Sequence, residues 1–462
     1  MSLKALFSAK DMTLGSPWKR IMEFSIPMLL GNLAQQLYNT ADSIIVGQYV
    51  GDLALAAVGS AMPILNLLLA LFVGISTGAG IVVSQSFGAR DRKGLTEAIG
   101  NCISMSFIAS LAIMVIGPLI TMPMLQLLGT PESIIYDCRD YLNIYFLGII
   151  GFFFYNMLSG ILRGLGDSVS ALGFLLLAAA LNVVLDLAFV KSMGVAGVAL
   201  ATIISQAISA VFCYIKLARM KDLFDLGLKG MKLLPNVAGR ILQIGIPSGV
   251  TQAIMATAGM VVLNLTNAMG ETVIACNVVV MRVDGFAMMP NFSFGQAMSV
   301  YTGQNVGAGK FDRVHKGTKQ GSIIAFIFSA AITFSLLFLG KYLFALFTDT
   351  PELIDLACRM IRLMAVGYIC VSVTQVLGGV MRGAGDTVSP MWISMISTIA
   401  IRIPVAYGLA WLTRSEAFPH GQPSALFGSL MFSWAMGMVM TIVVYAAGKW
   451  KKKMYASHMD LE

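Results

Sequence analysis

The chain has 462 residues, 57% hydrophobic and 12% charged, with a net charge of +8 and a mean hydropathy of +0.80. Soluble domains carry about 25% charged residues, and so few charges cannot cover so much apolar surface in water. An ordinary soluble enzyme is thereby excluded, and the basic residues, set in short runs between apolar stretches, mark membrane topology rather than a nucleic-acid-binding face.

Lys4, Lys10, Lys19 and Arg20 precede the first long apolar stretch, and no small-residue cleavage site follows a short apolar core. The expectation is a retained span rather than a signal peptide. Since a membrane helix needs about 20 mostly apolar residues, spans are expected near 22–46, 54–82, 97–121, 135–160, 168–190, 195–217, 241–267, 273–303, 319–347, 354–380, 388–412 and 426–448. Gly51-Asp52, Thr130-Pro131-Glu132, Met193-Gly194 and Thr350-Pro351-Glu352 supply turn chemistry at the seams. Basic residues favour alternate loops: Arg90, Arg92 and Lys93; Arg219, Lys221, Lys229, Lys232 and Arg240; Lys310, Arg313, Lys316 and Lys319; then Lys449, Lys451, Lys452 and Lys453 in the tail. The intervening loops hold little beyond Lys191 and Arg414. By the positive-inside rule both termini are cytoplasmic.

The two halves match at an offset of about 219 residues. Leu162-Arg163-Gly164-Leu165-Gly166-Asp167-Ser168-Val169-Ser170 recurs as Met381-Arg382-Gly383-Ala384-Gly385-Asp386-Thr387-Val388-Ser389, and Ile26-Pro27 recurs as Ile246-Pro247. The glycines of the doubled R-G-x-G-D segment end helices in tight turns, and its Arg and Asp are expected to pair locally. Gln85, Gly88 and Ala89 recur as Gln304, Gly307 and Ala308. The expected fold is an all-α polytopic membrane protein with twelve transmembrane helices in two pseudo-symmetric six-helix bundles. The first bundle covers 1–222, a cytoplasmic linker 223–240, and the second bundle with its basic tail 241–462. Six spans per half give a parallel repeat about an axis along the membrane normal, and alternating access then needs only rocking of one bundle against the other.

A charge at the helix centre costs at least about 2.5–3.5 kcal/mol, so each intramembrane ionisable residue is a functional candidate. Asp42 sits in the first span with Gln35, Tyr38 and Asn39 near it by helical spacing, and Asp186 sits in the fifth span one turn beyond Asn182. A carboxylate plus neutral oxygens suits a hard cation such as Na⁺, and equally suits a carboxyl group that carries a proton. A buried network that only fixes packing is the bland alternative. In the second half Arg282 and Asp284 lie in the eighth span and Arg402 in the eleventh; they neutralise one another or orient a substrate, and Gln375 stands opposite Asn156. Counted by the repeat offset, Asp42 meets Val261 or Val262, Asn182 meets Ile401 and Asp186 meets Val405, so the paired acids are not repeated. Pro27 and Pro247, inside the first span of each half, should kink those helices and are candidate conformational elements.

The R-G-x-G-D loops, the segment Val279-Val280-Met281-Arg282-Val283-Asp284-Gly285-Phe286, the run Gly303-Gln304-Asn305-Val306-Gly307-Ala308-Gly309 and Asn39-Thr40-Ala41-Asp42 carry a resemblance to a family. Over nearly its whole length the chain resembles the multidrug and toxic compound extrusion (MATE) transporters. The resemblance implies a secondary antiporter in the bacterial plasma membrane. It would export amphiphilic, cationic drugs or metabolites in exchange for H⁺ or Na⁺, as a monomer, with no cofactor and no enzymatic activity. It places cation coupling on Asp42, Asn156, Asn182, Asp186 and Thr202, all of fitting type. The seventh span lacks the acid that NorM-type pumps use. A lipid-linked oligosaccharide flippase of the same superfamily is the alternative reading.

ATP coupling is not expected. Gly303–Lys310 fails the G-x-x-x-x-G-K-[ST] spacing, and Phe311 follows the lysine. Three scattered histidines, His315, His420 and His458, and six cysteines without a C-x-x-C suggest no metal site.

Overall fold

The computed structural model describes residues 8–227 and 232–459, except the side chains of 52–55 and 63. Lys4, Lys229 and residues 228–231 of the expected linker lie outside the described residues. Nine helices among the described residues are long and apolar enough to cross a membrane, and two bent pairs raise that to eleven. The bent pairs are Glu132–Leu147 with Ile149–Gly164 (54°) and Pro351–Met364 with Gly367–Gly383 (45°). The first helix, α1 (Pro17–Tyr49), has 33 residues, ample length for a twelfth span. Its Asn32, Gln35, Gln36, Asn39 and Asp42 make it more polar than the rest. A helix of that composition does not face lipid all round, which already marks α1 as lining a polar interior.

Large apolar side chains stand exposed on the long helices, including Leu119 at 72%, Leu127 at 86% and Phe338 at 66%. In water such surface would drive aggregation; in a bilayer it is the solvated face. The next six helices are α2 (Asp52–Gly88), α3 (Arg92–Leu127), α4 (Glu132–Leu147), α5 (Ile149–Gly164), α6 (Ser168–Met193) and α7 (Val195–Ala218). The second half supplies α8 (Pro235–Ala268), α9 (Glu271–Gly307), α10 (Phe311–Ala345), α11 (Pro351–Met364), α12 (Gly367–Gly383), α13 (Val388–Met395), α14 (Arg402–Leu412), α15 (Ser424–Ala447) and α16 (Lys449–Met459). A π-helical turn, Ile396–Ile401, joins α13 to α14.

The chain forms two compact units that differ from the sequence halves at their edges. The first unit contains Met1–Asp11 and Ile26–Gly249, the second Met12–Ser25 and Val250–Asp460. Pro27 in α1 and Pro247 in α8 each lie within two residues of the point where their helix changes unit. Proline frees the carbonyl one turn back, so these are the places where each helix bends most easily.

Small residues allow the close helix contacts of the first unit. Gly74 and Gly78 in α2 face Gly249 and Gly245 in α8, and a Cβ on Gly78 would lie 2.6 Å from the Gly245 nitrogen. Two Gly-x-x-x-Gly patterns thus meet backbone to backbone. In α5, a Cβ on Gly160 would lie 3.0 Å from the Ser76 carbonyl oxygen, and one on Gly164 2.5 Å from that of Gly80. The second unit repeats this contact: Gly379 and Gly383 of α12 press on the carbonyls of Gly295 and Ser299 of α9.

The repeated glutamines hold the chain upstream of each proline, before α1 in one unit and in the first turns of α8 in the other. Gln304 Oε1 accepts the Met12 N–H at 2.8 Å in the second unit, and Gln85 Oε1 accepts from Arg240 Nη2 at 2.9 Å in the first. In the R-G-x-G-D loops the expected Arg–Asp pairing is replaced by helix capping. Asp167 accepts from the Ser170 N–H (2.9 Å) and hydroxyl (2.7 Å), and Asp386 does the same with Ser389 (3.2 and 2.6 Å). A carboxylate at the helix start satisfies amide donors that no other group reaches, which outweighs a pairing four residues away. Gly166 and Gly385, at φ +80° and +90°, make the turn before each cap.

Candidate functional site

The first unit gathers its polar residues where α1, α6 and α7 meet. One turn of α6 separates Asn182 from Asp186, so both side chains leave the same face, and both are fully buried. With its amide nitrogen turned toward the acids, Asn182 donates to Asp42 Oδ1 at 2.6 Å and Asp186 Oδ2 at 3.0 Å. Its oxygen then accepts the Thr202 N–H at 3.3 Å. The Tyr38 hydroxyl, one turn before Asp42 on α1, donates to Thr202 Oγ1 at 3.5 Å. Asp186 Oδ1 is buried with no hydrogen-bond partner among the described residues. Two carboxyl groups on one amide nitrogen, without an ion pair to either among the described residues, hold a charge for which the protein supplies no fixed counter-ion. Such a pair can take up a proton or a small cation, and changes charge when it does.

Asn156 belongs to a separate cavity of about 120 Å³ in the same unit, lined with Pro27, Gln35, Ser159 and Arg163. Its side chain donates to the Phe152 carbonyl at 2.9 Å. The residues with which the resemblance groups it lie elsewhere, with Asp42, Asn182, Asp186 and Thr202 brought together and Asn156 apart. Asn39 is exposed and accepts from Gln35 Nε2 at 3.2 Å. Arg163 donates to Ser159 Oγ at 2.9 Å at the edge of this cavity.

The second unit holds a larger cavity of about 330 Å³. Asp284, Gln375 and Arg402 line it, as does Arg382, the repeat partner of Arg163. Asp284 Oδ1 accepts from the Tyr368 hydroxyl at 2.9 Å. Arg282 is exposed and does not line the cavity, so neutralisation of Asp284 by Arg282 is corrected. Residues two apart on a helix point to nearly opposite sides, which prevents that pairing. Sequence reasoning missed Arg382, Tyr368 and Trp434 as site residues. The doubled R-G-x-G-D motif was the available signal for Arg382; an apolar helix offers none for the two aromatics.

The MatE family model matches residues 27–188 and 247–408, once per half. Among curated proteins the chain is 30% identical to the probable multidrug resistance protein YpnP of Bacillus subtilis, over 96% of this chain and 98% of that protein. It is 27% identical to the probable multidrug resistance protein YoeA of the same organism, over 95% of each. A crystal structure of MATE in complex with MaL6 shares the fold at a TM-score of 0.86 and 24% identity, covering 96% of this chain and 100% of that one. Two family matches in register with the internal repeat, on a helical membrane fold, lead to one conclusion: the chain belongs to the MatE family of multi-pass membrane transporters.

Proposed function

We propose that the protein is a secondary antiporter that exports amphiphilic compounds in exchange for H⁺ or Na⁺, with Asp42 and Asp186 as the coupling pair. The observation that carries this reading is the Asn182 amide bridging both acids inside the helical first unit. Antiport requires that ion and substrate stabilise different states of the protein, since an equilibrium shifts only by the difference in their affinities. A negative pair provides that difference. It attracts a cationic substrate when charged, and loses that attraction once a proton or Na⁺ occupies it. Tyr38 and Thr202 supply neutral polar atoms beside the pair. The multidrug names of YpnP and YoeA agree with an amphiphilic export substrate.

Alternating access then carries the loaded pair from one membrane face to the other, in a bacterial plasma membrane with both termini cytoplasmic and one chain per transporter. The exposed lysines of α16, set beside buried Trp450 and Met454, fit a cytoplasmic basic tail. The test is drug resistance in an efflux-deficient bacterial host. Asp42→Asn removes one charge without changing side-chain size, and resistance is expected to vanish while the protein remains in the membrane. Full resistance in that variant would exclude the coupling role.

A further inference from the structure

The second unit's cavity differs in chemistry from the acid pair of the first. Its charged lining is one carboxylate, Asp284, and two guanidinium groups, Arg382 and Arg402, an excess of one positive charge. Asp284 accepts from the Tyr368 hydroxyl at 2.9 Å and attracts Arg402 across the cavity, so the excess positive charge falls on Arg382. Among the described residues neither arginine makes an ion pair within 4.0 Å. Arg402 Nε is buried without a hydrogen-bond partner among the described residues. Buried guanidinium is retained where it meets a planar acid, because its donors match carboxylate geometry in pairs.

The local backbone places Arg402 there. The π turn Ile396–Ile401 ends at Arg402 and holds more residues per turn than an α-helix, so it shifts the register of α14 relative to α13. Ser433 Oγ on α15 donates to the Ser397 carbonyl at 2.8 Å, fixing the widened turn. The repeat offset is 219 between Asp167 and Asp386, before the turn, and 220 between the ends of the family match at 188 and 408, after it; it is also 220 between Pro27 and Pro247. At an offset of 220, Arg402 takes the place of Asn182, the residue that bridges the two acids in the first unit. π turns inserted into α-helices recur at functional sites. The remaining wall is apolar, with Met288, Phe292 and Trp434 among its residues, and a volume of about 330 Å³ falls in the range of small-molecule pockets.

We propose that this cavity binds amphiphiles bearing an acidic group, as organic anions or zwitterions. Arg402 and Arg382 receive the acid, and Met288, Phe292 and Trp434 receive the apolar body. The proposal rests on the reading of the protein as an exporter of amphiphiles, and gives that exporter a second substrate class beside cations.

The test uses the full chain in phosphatidylcholine nanodiscs and a rhodamine dye in two forms. The free carboxylic acid is a zwitterion and its methyl ester is a cation, with the ring system unchanged. Fluorescence polarisation titrations should show the free acid binding about tenfold or more tighter than the ester, the discrimination expected from one charge-assisted hydrogen bond. Arg402→Gln and Arg382→Gln should each bring that ratio to within about twofold, while Arg402→Lys, which keeps the charge without the paired donors, falls between. Equal binding of the two forms by the unmodified protein would overturn the proposal, as would an unchanged ratio in both glutamine variants that elute as folded, monodisperse protein. The unmodified protein's ratio needs no variant and is read whether or not the variants fold. Gradient-driven efflux is measured separately. An acid preference without such efflux supports the site and defeats the pump reading, and efflux without the preference does the reverse.

Discussion

Replacing Asn182 with Leu, which has the same branching without hydrogen-bonding atoms, tests how the first unit's acids hold their charge. In the native protein one amide nitrogen donates to Asp42 at 2.6 Å and Asp186 at 3.0 Å. A hydrogen bond to a charged group contributes about 1.5–3 kcal/mol. At the lower figure the two bonds together contribute about 3 kcal/mol to the negative pair, more than about a hundredfold in its population. Asp186 Oδ1, the oxygen Asn182 does not reach, has no donor among the described residues, so nothing in place compensates. The assay is the initial rate of dye efflux from proteoliposomes under an imposed ion gradient, corrected for incorporated protein. The expected loss is about a hundredfold, with Asn182→Gln, whose amide is retained on a longer arm, falling between. A rate for Asn182→Leu within about threefold of the unmodified protein would refute the assignment of the amide to the coupling site.

The other predictions concern the same pair and the packing that supports it. Asp186→Asn, tested in the same efflux assay, should abolish coupling as fully as Asp42→Asn, because both acids share one donor; a double variant no worse than either single one would show that they act as a unit. Gly78→Val should lower the melting temperature in detergent by many degrees, since its Cβ would sit 2.6–2.7 Å from backbone atoms of Gly245 and Ile241 that cannot rotate away. Asp386→Ala removes a helix cap that accepts from the Ser389 N–H and hydroxyl. A cost of about 1 kcal/mol is expected, visible as a small drop in thermal stability with unaltered dye selectivity.

Much of this architecture is legible in the sequence because lipid imposes strong rules. Long apolar runs and a doubled motif fix helices and repeat. Asp42, Asn182 and Asp186 are legible for the same reason, since charged and amide side chains in apolar helices are conspicuous, whereas Thr202 enters only through the family resemblance. Asn156 is a different case. Its residue type fits, but its direction from α5 depends on the bend at Gly148, where α4 and α5 meet at 54°, and that angle has no simple sequence signature. Arg402 is conspicuous as a charge, but a constant repeat offset sets Ile401 rather than Arg402 opposite Asn182, because a π turn adds a residue inside an otherwise regular apolar helix. Tyr368 and Trp434 look like ordinary apolar filling until the Asp284 bond and the cavity wall are seen.

The central claim is that a cation gradient drives export through the first unit's acid pair. Its most direct measurement loads proteoliposomes with a cationic dye and imposes either a pH or a Na⁺ gradient, with the membrane potential clamped. The account predicts dye movement up its concentration gradient with one of those two ions, lost in Asp42→Asn protein. Equal downhill dye movement with and without either gradient, unchanged in that variant, would contradict it.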